Sequence, residues 1–142
     1  MKISVVFLLL FFSRDLRHFS IEVVEIEDEW PCIGVTGPEG EYEAVIGEND
    51  SSSPYKSRYG DQGVGMYMNR YLRNNCKWDS SLWQYKAIKT GDVIRMFVKN
   101  HTLTYYHNNV KLTFKDDPIT LLKDRDYKFA VGLWGRASVR IV

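Results

Sequence analysis

Three histidines, two cysteines and one acidic run are the residues whose types suit reaction chemistry in this sequence of 142 residues. A histidine acts as general base or metal ligand when a second group orients its ring. His18 stands near a predicted strand start, and His101 and His107 fall in predicted turns around one hairpin, where an imidazole is ordinarily solvated. Neither Cys32 nor Cys76 lies in a Cys-x-x-Cys pair, so a structural zinc site lacks half its ligands. The expectation is a pair of reduced, buried thiols. Glu25, Glu27, Asp28 and Glu29 offer carboxylates of the kind that glycoside hydrolysis needs. They crowd the end of a predicted strand before Pro31 instead of alternating along one face, which is the pattern of a solvated edge. No Gly-x-Ser-x-Gly elbow, phosphate loop or His-Glu-x-x-His helix occurs. The residues therefore predict no enzyme, no metal and no cofactor.

The elements that would position any site are strands. Hydrophobic residues make up 44% and charged residues 26% of the chain, the usage of one ordinary globular domain. Phe, Tyr and Trp reach 14%, and their flat side chains suit sheet cores and binding surfaces. With a net charge of +1, no whole-domain field draws the protein to nucleic acid or anionic lipid. No stretch carries a long, capped run of i, i+3, i+4 apolar spacing, so the predicted class is all-β.

At the amino terminus, Ile3 to Phe12 is an apolar run about ten residues long, too short to span a bilayer as a helix. It fits either the hydrophobic part of a signal peptide, although Phe11 and Arg14 spoil the cleavage pattern, or a buried first strand. The chain thus divides into this segment, residues 1–18, and a domain over residues 19–142. The expected location is intracellular, in the cytoplasm. Secretion is the alternative if Met1–Phe12 is cleaved, and the triplets at Asn49 and Asn100 would then be glycan acceptors.

Along the domain, Phe19-Ser20-Ile21-Glu22-Val23 alternates, and Val24-Glu25-Ile26 shifts phase, as a strand with a bulge does. Cys32-Ile33-Gly34-Val35-Thr36 is a short apolar strand closed by Gly37-Pro38. Residues from Asn49 to Gly65 are polar and glycine-rich and read as an exposed loop. Thr90-Gly91-Asp92 is a turn before the apolar run Val93 to Val98. Lys99-Asn100-His101 turns the chain again, and His107-Asn108-Asn109 joins Thr102–Tyr106 to Val110–Phe114, asparagine being the best residue after glycine for the positive φ of a tight hairpin. Tyr127–Trp134 and Ala137–Ile141 close a series of strands at sandwich-like spacing.

This ordered set resembles the SPRY domain family. His18–Val23 is similar to its early strand, Cys32–Thr36 to the strand that follows, Gly91-Asp92-Val93-Ile94 to its most recognisable tetrapeptide, Thr102–Leu112 to its asparagine-turned hairpin, and Tyr127–Ile141 to its closing pair. The match departs at Ile21, where the family commonly has Trp, at Arg95, where it often has Gly, and upstream of Phe19, where strands are truncated or replaced by Ile3–Phe12. The resemblance implies a bent antiparallel β-sandwich of the concanavalin-like jelly-roll kind and a non-catalytic protein-interaction module. Its partner would be a protein or short linear peptide, with no nucleic acid and no stable membrane insertion. In related proteins such adaptors recognise substrates and are joined to ubiquitin-ligase, channel or scaffold segments. Leu133-Trp134-Gly135 matches a tripeptide that lines the peptide pocket in domains of the SOCS-box adaptors, and Arg136 follows it. Asn69, Arg70, Tyr71 and Leu72 are similar to a facing loop, with Tyr71 or Leu72 as second wall. Thr36 and Pro38 are similar to a third loop on the same rim, whereas Trp30, Trp78 and Trp83 are expected to be cover and core. The alternative function is a secreted carbohydrate-binding or glycan-cleaving jelly roll.

Overall fold

The computed structural model describes residues 6–11, 18–27, 32–36, 63–74, 77–115, 117–121, 127–133 and 136–142. They form two antiparallel sheets, with no α-helix among the described residues. The strands are β1 (Val6–Phe11), β2 (His18–Ile26), β3 (Cys32–Thr36), β4 (Val64–Tyr67), β5 (Leu72–Asn74), β6 (Lys77–Asp79), β7 (Val93–Lys99), β8 (Thr102–His107), β9 (Val110–Leu112), β10 (Ile119–Thr120), β11 (Lys128–Leu133) and β12 (Ala137–Ile141). One sheet runs β1-β11-β3-β4-β5-β6. The other runs β10-β8-β7-β2-β12, and β9 shares with β10 the outer edge of β8. β1 pairs with β11 along its whole length, from Val6 opposite Leu133 to Phe11 opposite Lys128. Residues 37–62 lie outside the described residues, including most of the loop expected from Asn49 to Gly65. The end of that loop is a correction: Gly63 is buried and Val64–Tyr67 is a fully buried strand, because it carries four apolar or small residues without a break.

Alternation builds the core. From the second sheet Phe19, Ile21, Val23, Ile94, Met96, Val98 and Leu103 join one cluster with Ile33, Val35, Val64, Met66, Phe129 and Val131 of the first. Each such side chain removed from water contributes roughly 1.5–3 kcal/mol. The phase shift after Val23 is a bulge: Val23 pairs with Val139 and Glu25 with Ser138, which leaves Val24 as the extra residue, exposed to solvent. Both asparagine turns have the expected geometry. Asn100 and His101 take φ values of 50° and 60°, and Asn108 and Asn109 take 48° and 67°, the paired positive values of the two-residue turn whose twist matches the strands it joins.

His107 is not a solvated turn residue. It ends β8 with its ring pointing inward, 7% exposed, because β8 alternates Leu103, Tyr105 and His107 onto the core face. Its Nε2 lies 2.7 Å from Oδ2 of Asp92, itself 5% exposed. Asn108 Nδ2 donates to the other carboxylate oxygen at 2.9 Å, and the Lys89 amide donates to Oδ2 at 2.9 Å. The Gly91-Asp92 turn is thereby tied to the β8–β9 hairpin. Burial on its own would push the Asp92 carboxyl up, but the hydrogen bonds from Asn108, His107 and Lys89 outweigh it and hold the group below the usual carboxylate range.

Two predictions follow from this packing. Gly34 stands opposite Gly65, and a Cβ on Gly34 would run into the Val64 carbonyl and come within 2.7 Å of Gly65 Cα. Gly34→Ala should cost about 3 kcal/mol or more, read as a fall in the urea midpoint, because two backbones would have to part. Since the Asp92 carboxyl is depressed in the folded state, its stabilisation is complete above the unfolded-chain value of about 4 and fades as pH falls through the lower folded value. Asp92→Ala should therefore lose about 3 kcal/mol at neutral pH by stranding His107 and Asn108, and lose less than the parent on acidification to pH 3. An equally steep acid loss in the variant would remove Asp92 as its source.

Candidate peptide-binding rim

The antiparallel register gathers several connections at one end of the first sheet. Gly132 of β11 pairs with Cys32 of β3, which pairs with Tyr67 of β4, and Leu72 of β5 pairs with Asp79 of β6. Leu133, the turn from Met68 to Tyr71, and the segment after Asp79 therefore leave the sheet at the same end. Arg136 joins them, its carbonyl accepting from the Glu27 amide at 3.2 Å where β2 ends.

The turn between β4 and β5 is closed by its own backbone. Tyr67 N–H donates to Tyr71 O at 2.8 Å, Arg70 N–H donates to Tyr67 O at 2.9 Å, and the Asn69 side chain accepts from Tyr71 N–H at 3.1 Å. Arg70 sits in the left-handed region with φ of 70°, where a non-glycine side chain costs about 1 kcal/mol. Below the turn Met68 is buried, at 2% exposure.

Beside it, a short 3-10 turn at Ser81–Gln84 sends Leu82 into the core and Trp83 outward, 56% exposed. Asp79 fixes this turn: its Oδ1 accepts from Ser81 N–H at 2.7 Å and its Oδ2 from Lys115 N–H at 2.9 Å. Tyr85 Oη accepts from Thr113 N–H at 3.1 Å. Arg70 joins the two turns, with Nη1 donating to Tyr85 O at 2.8 Å and to Trp83 O at 3.3 Å, and its guanidinium 5.1 Å from the Trp83 ring centre. The Tyr71 ring meets Trp83 edge-on at 5.8 Å. The result is a fixed aromatic and cationic rim.

The sequence-predicted site residues divide accordingly. Asn69, Arg70 and Tyr71 are half-buried on this rim, Leu133 is half-buried against the core, and Arg136 is exposed with an ion pair to Glu27 at 3.8 Å. Leu72 is corrected to a core residue, 1% exposed, since β5 begins there and turns it inward. Thr36 is corrected as well. It ends β3 opposite Lys128, four residues from Cys32, about 13 Å along the sheet and at the opposite end from Tyr71. Pro38, Trp134 and Gly135 lie outside the described residues, as do Trp30, Asp28, Glu29 and Cys76. Trp83, expected as cover or core, is not core: it is 56% exposed and lies beside Tyr71 and Arg70. The signal that points to it is Asp79-Ser80-Ser81, a run of turn-capping residues that interrupts the strand alternation.

Two further groups of this kind among the described residues, His18 and Cys32, lie within strands. His18 stacks on Phe97 at 4.6 Å between ring centres, and Nε2 lies 2.8 Å from Ser20 Oγ. Burial and then the nearby Arg95 cation lower its pKa. Cys32 is buried on β3. Among the described residues no group of three or more His, Cys, Asp or Glu is placed to hold a metal, and no helix is long and apolar enough to cross a membrane.

No family model and no curated protein sequence matches the chain. Solved structures do match it. A human SPRY domain superposes with a TM-score of 0.62 at 15% identity, covering 94% of this chain and 82% of that one. The SPRY domain of human HERC1 gives 0.47 at 13% identity over 88% of this chain and 72% of that one. Sheep galectin-11, in a complex with glycerol, gives 0.39 at 10% identity over 95% and 96%. The register and the first of these matches establish that the chain has the fold of a SPRY domain.

Proposed function

We propose that the protein is a non-catalytic interaction module that grips a short extended peptide or loop of a partner protein, in the manner of an adaptor. The observation that supports this reading is the exposed Trp83, locked beside Tyr71 by the Arg70 clamp on a rigid sandwich end. A large flat ring that already sits in one place binds with little ordering cost, and tryptophan is the commonest kind of hot-spot residue. The ligand would run over the rim from Trp83 and Tyr71 toward the connection between Leu133 and Arg136, a span of two to three strands or about 10–14 Å. On the resemblance stated above, Trp134 and Gly135 would belong to the same pocket.

The test is selection of a random peptide library on the full chain beside Trp83→Ala and Trp134→Ala. The chain should enrich a short motif, and each variant should weaken it by about 30-fold, the size of a 2 kcal/mol hot spot. Trp83→Ala should keep the parent's cooperative unfolding, because that ring is mostly in solvent. Failure of the folded chain to enrich any peptide, with binding on a glycan array instead, would overturn the reading in favour of a carbohydrate-binding jelly roll.

A further inference from the structure

The outer face of the second sheet carries rings and cations that the peptide rim does not use. Strand alternation sets it. β7 turns Ile94, Met96 and Val98 into the core and so presents Arg95, Phe97 and Lys99 outward, while β8 presents Thr104 and Tyr106 and β9 presents Lys111. Register then brings these side chains together. Phe97 stands between His18 of β2 and Thr104 of β8, and Arg95, Tyr106 and Lys111 form one row across three strands. His18 is stacked on Phe97 at 4.6 Å, and Tyr106 meets Phe97 edge-on at 5.8 Å. Ser20, 3% exposed, ties the cluster to the sheet: its Oγ lies 2.8 Å from His18 Nε2 and accepts from Arg95 Nε at 3.3 Å. Phe97 nonetheless remains 38% exposed. His18 covers the side of its ring that faces β2, and Arg95 also reaches toward β2. On the β8 side the neighbour is the short Thr104, and no ring of the described residues stacks there.

The cations of this face are not neutralised by the fold. Among the described residues no carboxylate lies within ion-pair distance of Arg95, Lys99 or Lys111, and Glu22, which shares the face, is held by Arg140 at 3.2 Å. Arg95 and Lys99 bracket Phe97 on its own strand, about 13 Å apart, and Lys111 lies about 10 Å from Arg95 across two strand spacings. The groups on offer are thus donors and ring faces. A neutral sugar would also want carboxylate or amide acceptors for its hydroxyls, whereas a single strand of nucleic acid wants cations for its phosphates and flat rings for its bases.

We infer that this sheet face binds single-stranded nucleic acid, with a base stacked on the β8 side of Phe97 and backbone phosphates on Arg95, Lys99 and Lys111. The site is separate from the peptide rim and does not rest on it. The net charge of +1 supplies no long-range pull, so binding is decided by contact on this face and fades as salt rises.

The experiment is a fluorescence-anisotropy titration of labelled oligothymidylate and oligouridylate, each about 12 nucleotides long, with the full chain. At least one should bind at about 50 mM salt and lose about 20-fold in affinity by about 200 mM, because three phosphate contacts on a single strand give a log–log salt slope of about −2. Arg95→Gln and Lys111→Gln should each flatten that slope by about 0.7. Phe97→Leu keeps apolar volume and removes the stacking face, so it should weaken binding about fivefold or more with the slope unchanged. The thermal midpoint of each variant is recorded beside its affinity. Should Arg95→Gln fail to fold through its tie to Ser20, the exposed Lys111→Gln still reads the slope. Absence of binding by the folded parent at about 50 mM salt overturns the inference. Parent-like affinity in a folded Phe97→Leu overturns it too, since the face would then be a charge patch alone. Polyglutamate that binds as tightly as the oligonucleotides gives the face to an acidic protein, and a heparin fragment that binds more tightly and loses nothing in Phe97→Leu gives it to a sulfated glycan; either result overturns the inference.

Discussion

A phenol hydroxyl in the middle of a dry sandwich must find an acceptor, and much of the architecture follows from where this one does. Tyr105 of β8 is wholly buried, and its hydroxyl crosses between the sheets to donate to the Ile33 carbonyl of β3 at 2.9 Å. An unmet hydroxyl there would cost roughly 1–3 kcal/mol, so the two sheets can approach only in registers that bring Ile33 under Tyr105. Burial pushes this phenol well above its ordinary pKa, which keeps it a neutral donor at neutral pH. The hydrophobic residues around it supply the driving force and interdigitate between the sheets. One directional bond then fixes the relative position of β3 and β8.

From that pairing the candidate rim is assembled by register. β3 places Cys32 beside Gly132 on one side and Tyr67 on the other, and this brings the ends of β11 and β4 to one rim. Arg70 then converts two independent turns into a single surface through two carbonyl acceptors and the Trp83 ring. The rim is therefore held by directional hydrogen bonds, as the sandwich is. Among the described residues the β4–β5 turn is closed by its own backbone and by Asn69, and the 3-10 turn by Asp79.

What the amino-acid string reveals here is local. Asparagines announce both hairpins of β7–β9, the phase shift after Val23 announces the bulge, and Gly91-Asp92 announces the turn before β7, because each of these depends on neighbours a few residues away. What it conceals depends on distant pairing. Thr36 and Tyr71 look like members of one rim until the antiparallel order puts them at opposite ends of the sheet. His107 resembles a turn residue until Asp92, fifteen positions upstream, is found across the hairpin end. Trp83 escapes notice because a 3-10 turn has neither the period of a strand nor the length of a helix, so its inward neighbour Leu82 hides it among core residues.

β1 brings a further constraint. Its six residues occupy one entire flank of β11, from Val6 opposite Leu133 to Phe11 opposite Lys128. If a protease trimmed the chain between β1 and β2, β11 would be left with a bare row of backbone donors and acceptors, and that vacancy has the length and polarity to accept a strand in trans. Loss of β1 would therefore do more than shorten the chain. It would move the open edge of the first sheet from β1 to β11, the strand that ends at Leu133, where the rim's connection to Arg136 begins.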